Sequence, residues 1–346
     1  MHQAKLFKPL NDGRVHCRLC SHYCLIDNGE YGKCRVRTNR GGALYTEVYD
    51  KVAALNLDPI EKKPLFHFLP GTMTLSFATQ GCNLKCSFCQ NHSLSQAEPG
   101  KIRGREATPQ QLVQAALNNR AKSISYTYSE PTIFFELMQD TARRARRNGL
   151  LNVMVSNGFQ SEECLDELAG LIDAANIDLK AYTGEFYKDQ CGAKLEPVKK
   201  NLKRMVEMNW WVEVTTLVIP GLNDGAEELD RIAEFISGEL GPGVPWHVSR
   251  FHPDYTMLDR PATPVSALER ALEAGKRAGL HYVYAGNVPG HGGEHTICPG
   301  CGVKVISRRG FTISGSNLEE GKCASCGREI AGLGLDALTH RRLFGP

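Results

Sequence analysis

The sequence predicts an α/β protein built on a parallel sheet, with a small cysteine-rich module at each end. Three observations lead there. From about residue 71 to 286, strand-like runs alternate with helical patterns, and such alternation places parallel strands side by side. The first 70 residues hold Cys17, Cys20, Cys24 and Cys34, and residues 287–346 hold Cys298, Cys301, Cys323 and Cys326. The expected division is therefore 1–70, 71–286 and 287–346.

The strand-like runs are 74–79, Ser123–Tyr128, Asn152–Ser156, Asn176–Lys180, Trp211–Ile219, Trp246–Phe251 and His281–Tyr284. One helix begins at Thr108-Pro109-Gln110-Gln111, with Thr as N-cap, Pro at the first helical position and Gln at the third. Another begins at Ser161 and is expected to place Leu165, Leu168 and Ile172 on one face. Further helices are expected near 132–147, 195–209, 226–237 and 264–278. About six βα units fit a barrel, a partial barrel or an open doubly wound sheet. In barrels the chemistry gathers at the C-terminal strand ends. Here those ends carry Tyr128-Ser129-Glu130-Pro131, Ser156-Asn157-Gly158, Asp178-Leu179-Lys180, Pro220-Gly221-Leu222-Asn223-Asp224 and His252.

Asp58-Pro59-Ile60-Glu61-Lys62-Lys63-Pro64-Leu65-Phe66-His67-Phe68 has two prolines and a charge cluster, which argue for an irregular linker. Either Phe66 and Phe68 simply pack it down, or it borders the active site.

The formal net charge is +3, too small to imply a nucleic-acid or anionic-membrane partner. The Arg143-Arg144-Ala145-Arg146-Arg147 run reads as a solvated helix end, where cations complement the helix dipole. No apolar run reaches the ~18 residues of a membrane span, and the first residues lack the apolar core of a signal peptide. The 13 cysteines are therefore read in a reducing cytoplasm, where clustered thiols bind metals more often than they pair. The tail's two Cys-x2-Cys knuckles read as a zinc ribbon. The head's four thiolates suit zinc or a second iron–sulfur cluster. Cys164 reads as a small core residue, and Cys191 has no assigned role.

The motif that organises the chain is Gly81-Cys82-Asn83-Leu84-Lys85-Cys86-Ser87-Phe88-Cys89-Gln90-Asn91, directly after a strand. Three thiolates at C-x3-C-x2-C spacing can hold three corners of a [4Fe–4S] cube, which ordinarily takes four. One iron would stay open to a small molecule.

This spacing resembles the signature of the radical S-adenosylmethionine (SAM) superfamily. The resemblance implies a partial (βα)6 TIM-like barrel and a cluster on Cys82, Cys86 and Cys89 that binds SAM at its open iron. Reductive cleavage then yields a 5′-deoxyadenosyl radical, which abstracts hydrogen from a C–H bond. Phe88 would pack near the adenine. The core resembles pyruvate formate-lyase activating enzyme and its relatives, which implies that Ser129, Glu130, Asn157, Asp178, Lys180 and His252 line the SAM site. Where those relatives carry Gly-Gly-Glu, this chain has Tyr128-Ser129-Glu130, and it has Thr215 where they often have a basic residue. Over nearly its whole length the chain looks closer to the AmmeMemoRadiSam-system enzymes, through the Asp58–Phe68 segment and the Cys89-Gln90-Asn91 and Tyr-x-Glu-Pro motifs. That implies Memo-type and AMMECR-type partners and a reductant such as flavodoxin or ferredoxin. The rival readings are a glycyl-radical-enzyme activase and, outside enzymes, a zinc-stabilised binding scaffold whose central cysteines hold no redox cluster.

Overall fold

The computed structural model describes residues 1–288 and 290–338. Its centre is an eight-stranded sheet whose strands lie in chain order. They are β1 (Ala54–Pro59), β2 (Met73–Ala78), β3 (Ser123–Tyr126), β4 (Leu151–Ser156), β5 (Ala174–Asp178), β6 (Trp211–Val218), β7 (Trp246–Arg250) and β8 (Val283–Gly286). The seven from β2 to β8 pair in parallel. Parallel neighbours need crossover connections. These contain α1 (Pro109–Asn118), α2 (Phe135–Arg147), α3 (Glu162–Leu168), α4 (Leu195–Glu207), α5 (Ala226–Phe235) and α6 (Val265–Arg277). The six expected βα units are all present.

Local chemistry sets the helix starts. Thr108 accepts from the Gln111 backbone, and the Gln111 side chain accepts in return from the Thr108 N–H at 2.9 Å, closing a capping box ahead of α1. Ser161 accepts from the Cys164 N–H at 3.1 Å and caps α3. That helix stops at Leu168, earlier than its apolar spacing predicts. Gly170 turns the chain at φ +67°, and Ile172 is buried from outside the helix. Arg143, Arg144, Arg146 and Arg147 are exposed at the end of α2, as a solvated helix end requires.

The segment expected to be an irregular linker is partly regular. β1 includes Asp58 and Pro59 and lies antiparallel on β2, with Asp58 opposite Thr74. A proline is tolerated on an edge strand, where its missing N–H breaks no ladder. Beyond it, residues 60–69 cross from the β1 edge to β8. The Pro64 carbonyl accepts from Asn176 of β5 at 2.8 Å. The His67 ring hydrogen-bonds the Tyr284 hydroxyl of β8 at 2.6 Å.

Beneath the sheet this crossing is held by Glu213, a fully buried carboxylate near the start of β6. It accepts from the backbone N–H groups of Phe66 (3.0 Å) and His67 (2.7 Å), from the Trp211 indole (3.0 Å), and pairs with the His247 ring (2.7 Å). Arg308 of the tail donates to the Phe66 carbonyl at 2.7 Å and stacks on the Phe66 ring. The tail's strands at Thr296–Ile297, Lys304–Arg309 and Thr312–Ser316 therefore build an apolar cluster that includes Phe66, Tyr282 and Tyr284.

The head consists of short antiparallel strands. Val15, Val36 and Leu44 belong to the same apolar cluster as the sheet and helices. Arg37 forms a buried ion pair with Glu136 of α2, and Glu136 also accepts from the Lys5 N–H at 2.7 Å. Both charges are out of water, so losing either partner would strand the other.

Candidate active site

The cysteine loop leaves the C-terminal end of β2 and is fixed on two sides. Gly81, at φ +112°, lies under the head: a Cβ there would stand 2.7 Å from Val36 Cγ1 and 3.4 Å from the Cys34 carbonyl oxygen. Opposite, Lys85 and Ser87 donate their N–H groups to the carbonyls of Cys191 and Gln190, both at 2.9 Å.

Each of the three sulfurs has a polar neighbour. Cys82 Sγ accepts from the Leu84 N–H at 3.3 Å and faces Asn157 Nδ2 at 3.7 Å. Cys89 Sγ lies 3.2 Å from the Ser95 hydroxyl. Cys191 stands beside Cys86 and holds the Cys86 thiol below its ordinary pKa against burial. Burial raises the Cys82 and Cys89 thiols above their ordinary range, so iron binding itself would drive their deprotonation to the thiolates that ligate a cluster. The residues present therefore fit such a cluster.

A cavity of about 600 Å³ opens beside this loop and runs along the C-terminal strand ends. Cys82, Cys86, Cys89, Phe88, Ser129, Glu130, Asn157, Asp178 and Lys180 all line it. His252 does not; it is exposed, outside the lining. The turn after β7 points that side chain to solvent, a direction the motif could not give.

Glu130 is 2% exposed. One oxygen accepts from the Thr132 N–H (3.0 Å), the Thr132 hydroxyl (2.5 Å) and Ser156 (2.8 Å), and the other from the Asn157 N–H (2.9 Å). Burial raises its pKa while these donors oppose the rise. Its carboxylate thus ties the turns after β3 and β4 together. Asn157 extends the tie to the cysteine loop through Asn83 Oδ1 at 2.8 Å. Asp178 and Lys180 pair at 2.7 Å, and the Ser129 hydroxyl donates to the Thr79 carbonyl at 2.7 Å. Phe88 is buried against Phe186.

Several lining residues were given no role of their own from sequence. Tyr128 adopts φ +63°, a conformation that bulky side chains rarely take and that marks functional turns. Its hydroxyl donates to Asp58 on the edge strand. Lys62, Lys63 and Pro64 line the cavity from the crossing segment. Of the two readings of this segment, both hold: it borders the cavity, and Phe66 packs it down.

The radical SAM superfamily profile matches residues 77–236, the stretch that carries the cysteine loop and most of the cavity. The chain belongs to the radical SAM superfamily. This radical SAM enzyme is 46% identical over 332 residues to an uncharacterized protein of Methanocaldococcus jannaschii, covering 95% of this chain and 99% of that protein. It is 24% identical over 174 residues to the pyruvate formate-lyase 1-activating enzyme of Escherichia coli, covering 48% of this chain and 69% of the relative. Its fold is similar to that of a radical SAM methyltransferase from Sphaerobacter thermophilus, with TM-score 0.50, 18% identity, and coverage of 63% of this chain and 67% of that one. Membership implies SAM and a [4Fe–4S] cluster as cofactors.

The radical SAM enzyme also carries the two outlying cysteine sets. In the tail, the sulfurs of Cys298, Cys301, Cys323 and Cys326 all lie within 4.8 Å of one another, the one set this tight among the described residues. Burial raises the Cys323 thiol, but the N–H groups of Ser325 and Cys326 and the neighbouring thiols bring it down, while the same thiol contacts raise Cys326, so the four sulfurs share their protons. In the head, Cys20 and Cys34 are buried, and burial together with the neighbouring head thiols raises their pKa values, that of Cys34 to about 11. The head sulfurs do not close to the tail's spacing.

The expected metal content is about two zincs and four irons per reconstituted chain. Elemental analysis checks it: one zinc with about eight irons would make the head a second iron–sulfur site.

Proposed function

We propose that the chain uses the cavity beside Cys82, Cys86 and Cys89 to cleave SAM reductively and to abstract hydrogen from a C–H bond of a second molecule. One observation carries this reading: a single cavity unites the three cysteines with Phe88, Ser129, Glu130, Asn157, Asp178 and Lys180. A [4Fe–4S] cluster held by the three thiolates would supply the electron that splits bound SAM.

The chain's own residues bind and orient. Phe88 offers an apolar face for the adenine. Asp178 and Lys180 offer one charge of each sign to the polar ends of SAM. Glu130 holds the two turns whose backbone borders the chamber. His252 is left out of this set.

The strand order and the segment reaching from the β1 edge to β8 support a partial (βα)6 barrel, with the head (1–70) and tail (287–346) as metal-stabilised modules on the core (71–286). Zinc is proposed for the tail. We place the enzyme in the cytoplasm, reduced by a flavodoxin or ferredoxin. Memo-type and AMMECR-type partners are proposed on the sequence resemblance alone. The similarity to an activating enzyme favours a second reading, in which the hydrogen is taken from a glycine of a partner enzyme.

The test is anaerobic incubation of the reconstituted chain with SAM and a reductant. Formation of 5′-deoxyadenosine is expected, with deuterium entering it from the correct labelled substrate. A fully iron-loaded chain that releases no 5′-deoxyadenosine would overturn the proposal.

A further inference from the structure

The cavity floor carries two charges that the proposed SAM chemistry leaves unused. Lys62 and Lys63 both line it, and both pair with Asp58, which stands behind them. Lys63 Nζ meets Asp58 Oδ2 at 2.7 Å, and Lys62 Nζ meets Oδ1 at 2.9 Å. Two ammonium groups on one carboxylate leave this end one unit positive. Elsewhere the lining charges are satisfied: Asp178 and Lys180 cancel each other, and Glu130 is met by four protein donors.

Lys63 is the unusual member. Its side chain is 2% exposed, whereas that of Lys62 is 46% exposed. An ammonium has three N–H donors. Among the described residues Asp58 is its one hydrogen-bond acceptor, and the Tyr128 ring lies over it with Nζ 4.3 Å from the centroid. At least one donor is thus free to face the cavity. Burial pulls the Lys63 pKa down, and Asp58 opposes that pull. A buried cation with spare donors is costly unless a further acceptor reaches it.

The edge strand and turn are shaped around this group. Tyr128 takes its left-handed backbone conformation where its ring covers Lys63 and its hydroxyl reaches Asp58. Asn56 donates to the same hydroxyl at 3.2 Å.

We propose that Lys63, assisted by Lys62, receives an anionic group of the substrate, a carboxylate or a phosphate, at the cavity floor while SAM occupies the cysteine side. This rests on reading the cavity as the shared chamber of SAM and substrate. Lys63 then acts as a specificity-determining residue: it anchors the substrate by its charged end and leaves the hydrogen-bearing carbon toward the cysteine loop. A neutral or cationic substrate of the same shape would leave the ammonium unpaired and be rejected.

The test uses the anaerobically reconstituted full chain with saturating SAM, titrated with inorganic phosphate and with acetate at constant ionic strength. Binding is read by thermal shift and calorimetry. Saturable binding of at least one anion is expected, and the tighter of the two names the substrate's group. Lys63→Met should weaken it at least tenfold, as loss of a charge-assisted hydrogen bond implies, with SAM affinity unchanged. Asp58→Asn should strengthen it, because it removes the competing carboxylate; a merely structural ion pair would give no such gain. If Lys63→Met does not fold, the double variant Asp58→Asn/Lys63→Met removes both charges together and should likewise lose the anion. Equal anion affinity in the parent and the Lys63 variants, no saturable binding, or displacement of SAM by the anion would each overturn the proposal. Failure of SAM itself to bind the parent chain would instead overturn the proposed function, and the anion titrations would still decide the lysine site.

Discussion

Alanine at Cys82, Cys86 or Cys89 is expected to abolish 5′-deoxyadenosine formation while the protein stays folded. Each substitution removes one of only three thiolates available to the cluster. The fold has little at stake in the sulfur itself. β2 is fixed by ladders to β1 and β3, and the loop backbone by bonds from Gly81, Lys85 and Ser87 to Leu94, Cys191 and Gln190. The cost in stability should be about 1 kcal/mol, typical of a single substitution. Iron content, product formation and thermal unfolding, measured on the same samples, separate the two effects. A single variant that makes product at the parent rate would sink the assignment of that cysteine.

Glu213→Ala is expected to be the most destabilising single change outside the metal sites, by roughly 3–5 kcal/mol. It would strand two backbone N–H groups, an indole N–H and the His247 ring in a site closed to water. The same site predicts acid sensitivity. Burial lowers the His67 pKa from 6.5 to about 4, against the opposing pull of Glu213. A depressed pKa means that the unfolded chain binds the proton first. The contribution is complete above pH ~6.5 and is lost as pH falls toward 4, about 3 kcal/mol in all. Denaturant melts at pH 7 and pH 5 on both proteins measure it. A Glu213→Ala chain that unfolds at the parent's denaturant concentration at both values would show that the carboxylate holds nothing together.

The parts of the fold legible in sequence are those set by local pattern. Strand runs such as Asn152–Ser156 alternate with capped helices, and the order of βα units follows. The cysteine loop is legible because its ligands are close in sequence. Glu130, Asn157 and Asp178 are legible because each closes a strand that the periodicity already locates. What stays hidden depends on partners far along the chain. Lys63 reads as a loop charge until Asp58 and Tyr128 enclose it. Cys191 is mute because its thiol meets Cys86 only through the fold. His252 misleads because a strand-end position does not fix the direction of its side chain. For residues 60–69 sequence leaves two readings open, because prolines and charges mark a linker whether it lies in water or against a sheet.

That crossing bears on the order in which the enzyme matures. Lys62 and Lys63 leave the ribosome early, yet the segment that presents them is clamped by groups synthesised far later. Glu213, Tyr284 and Arg308 hold residues 66 and 67, and Leu333 exchanges backbone hydrogen bonds with His67 and Leu69. Domains commonly fold from the N-terminus during synthesis. Here residues 66–69 gain their full set of clamps only once Arg308 and Leu333 are in place. A nascent chain stopped short of the tail would carry every cysteine of the central loop but not that full set of clamps. The tail thereby couples the seating of residues 66–69, only a few positions from Lys63, to its own docking on the core.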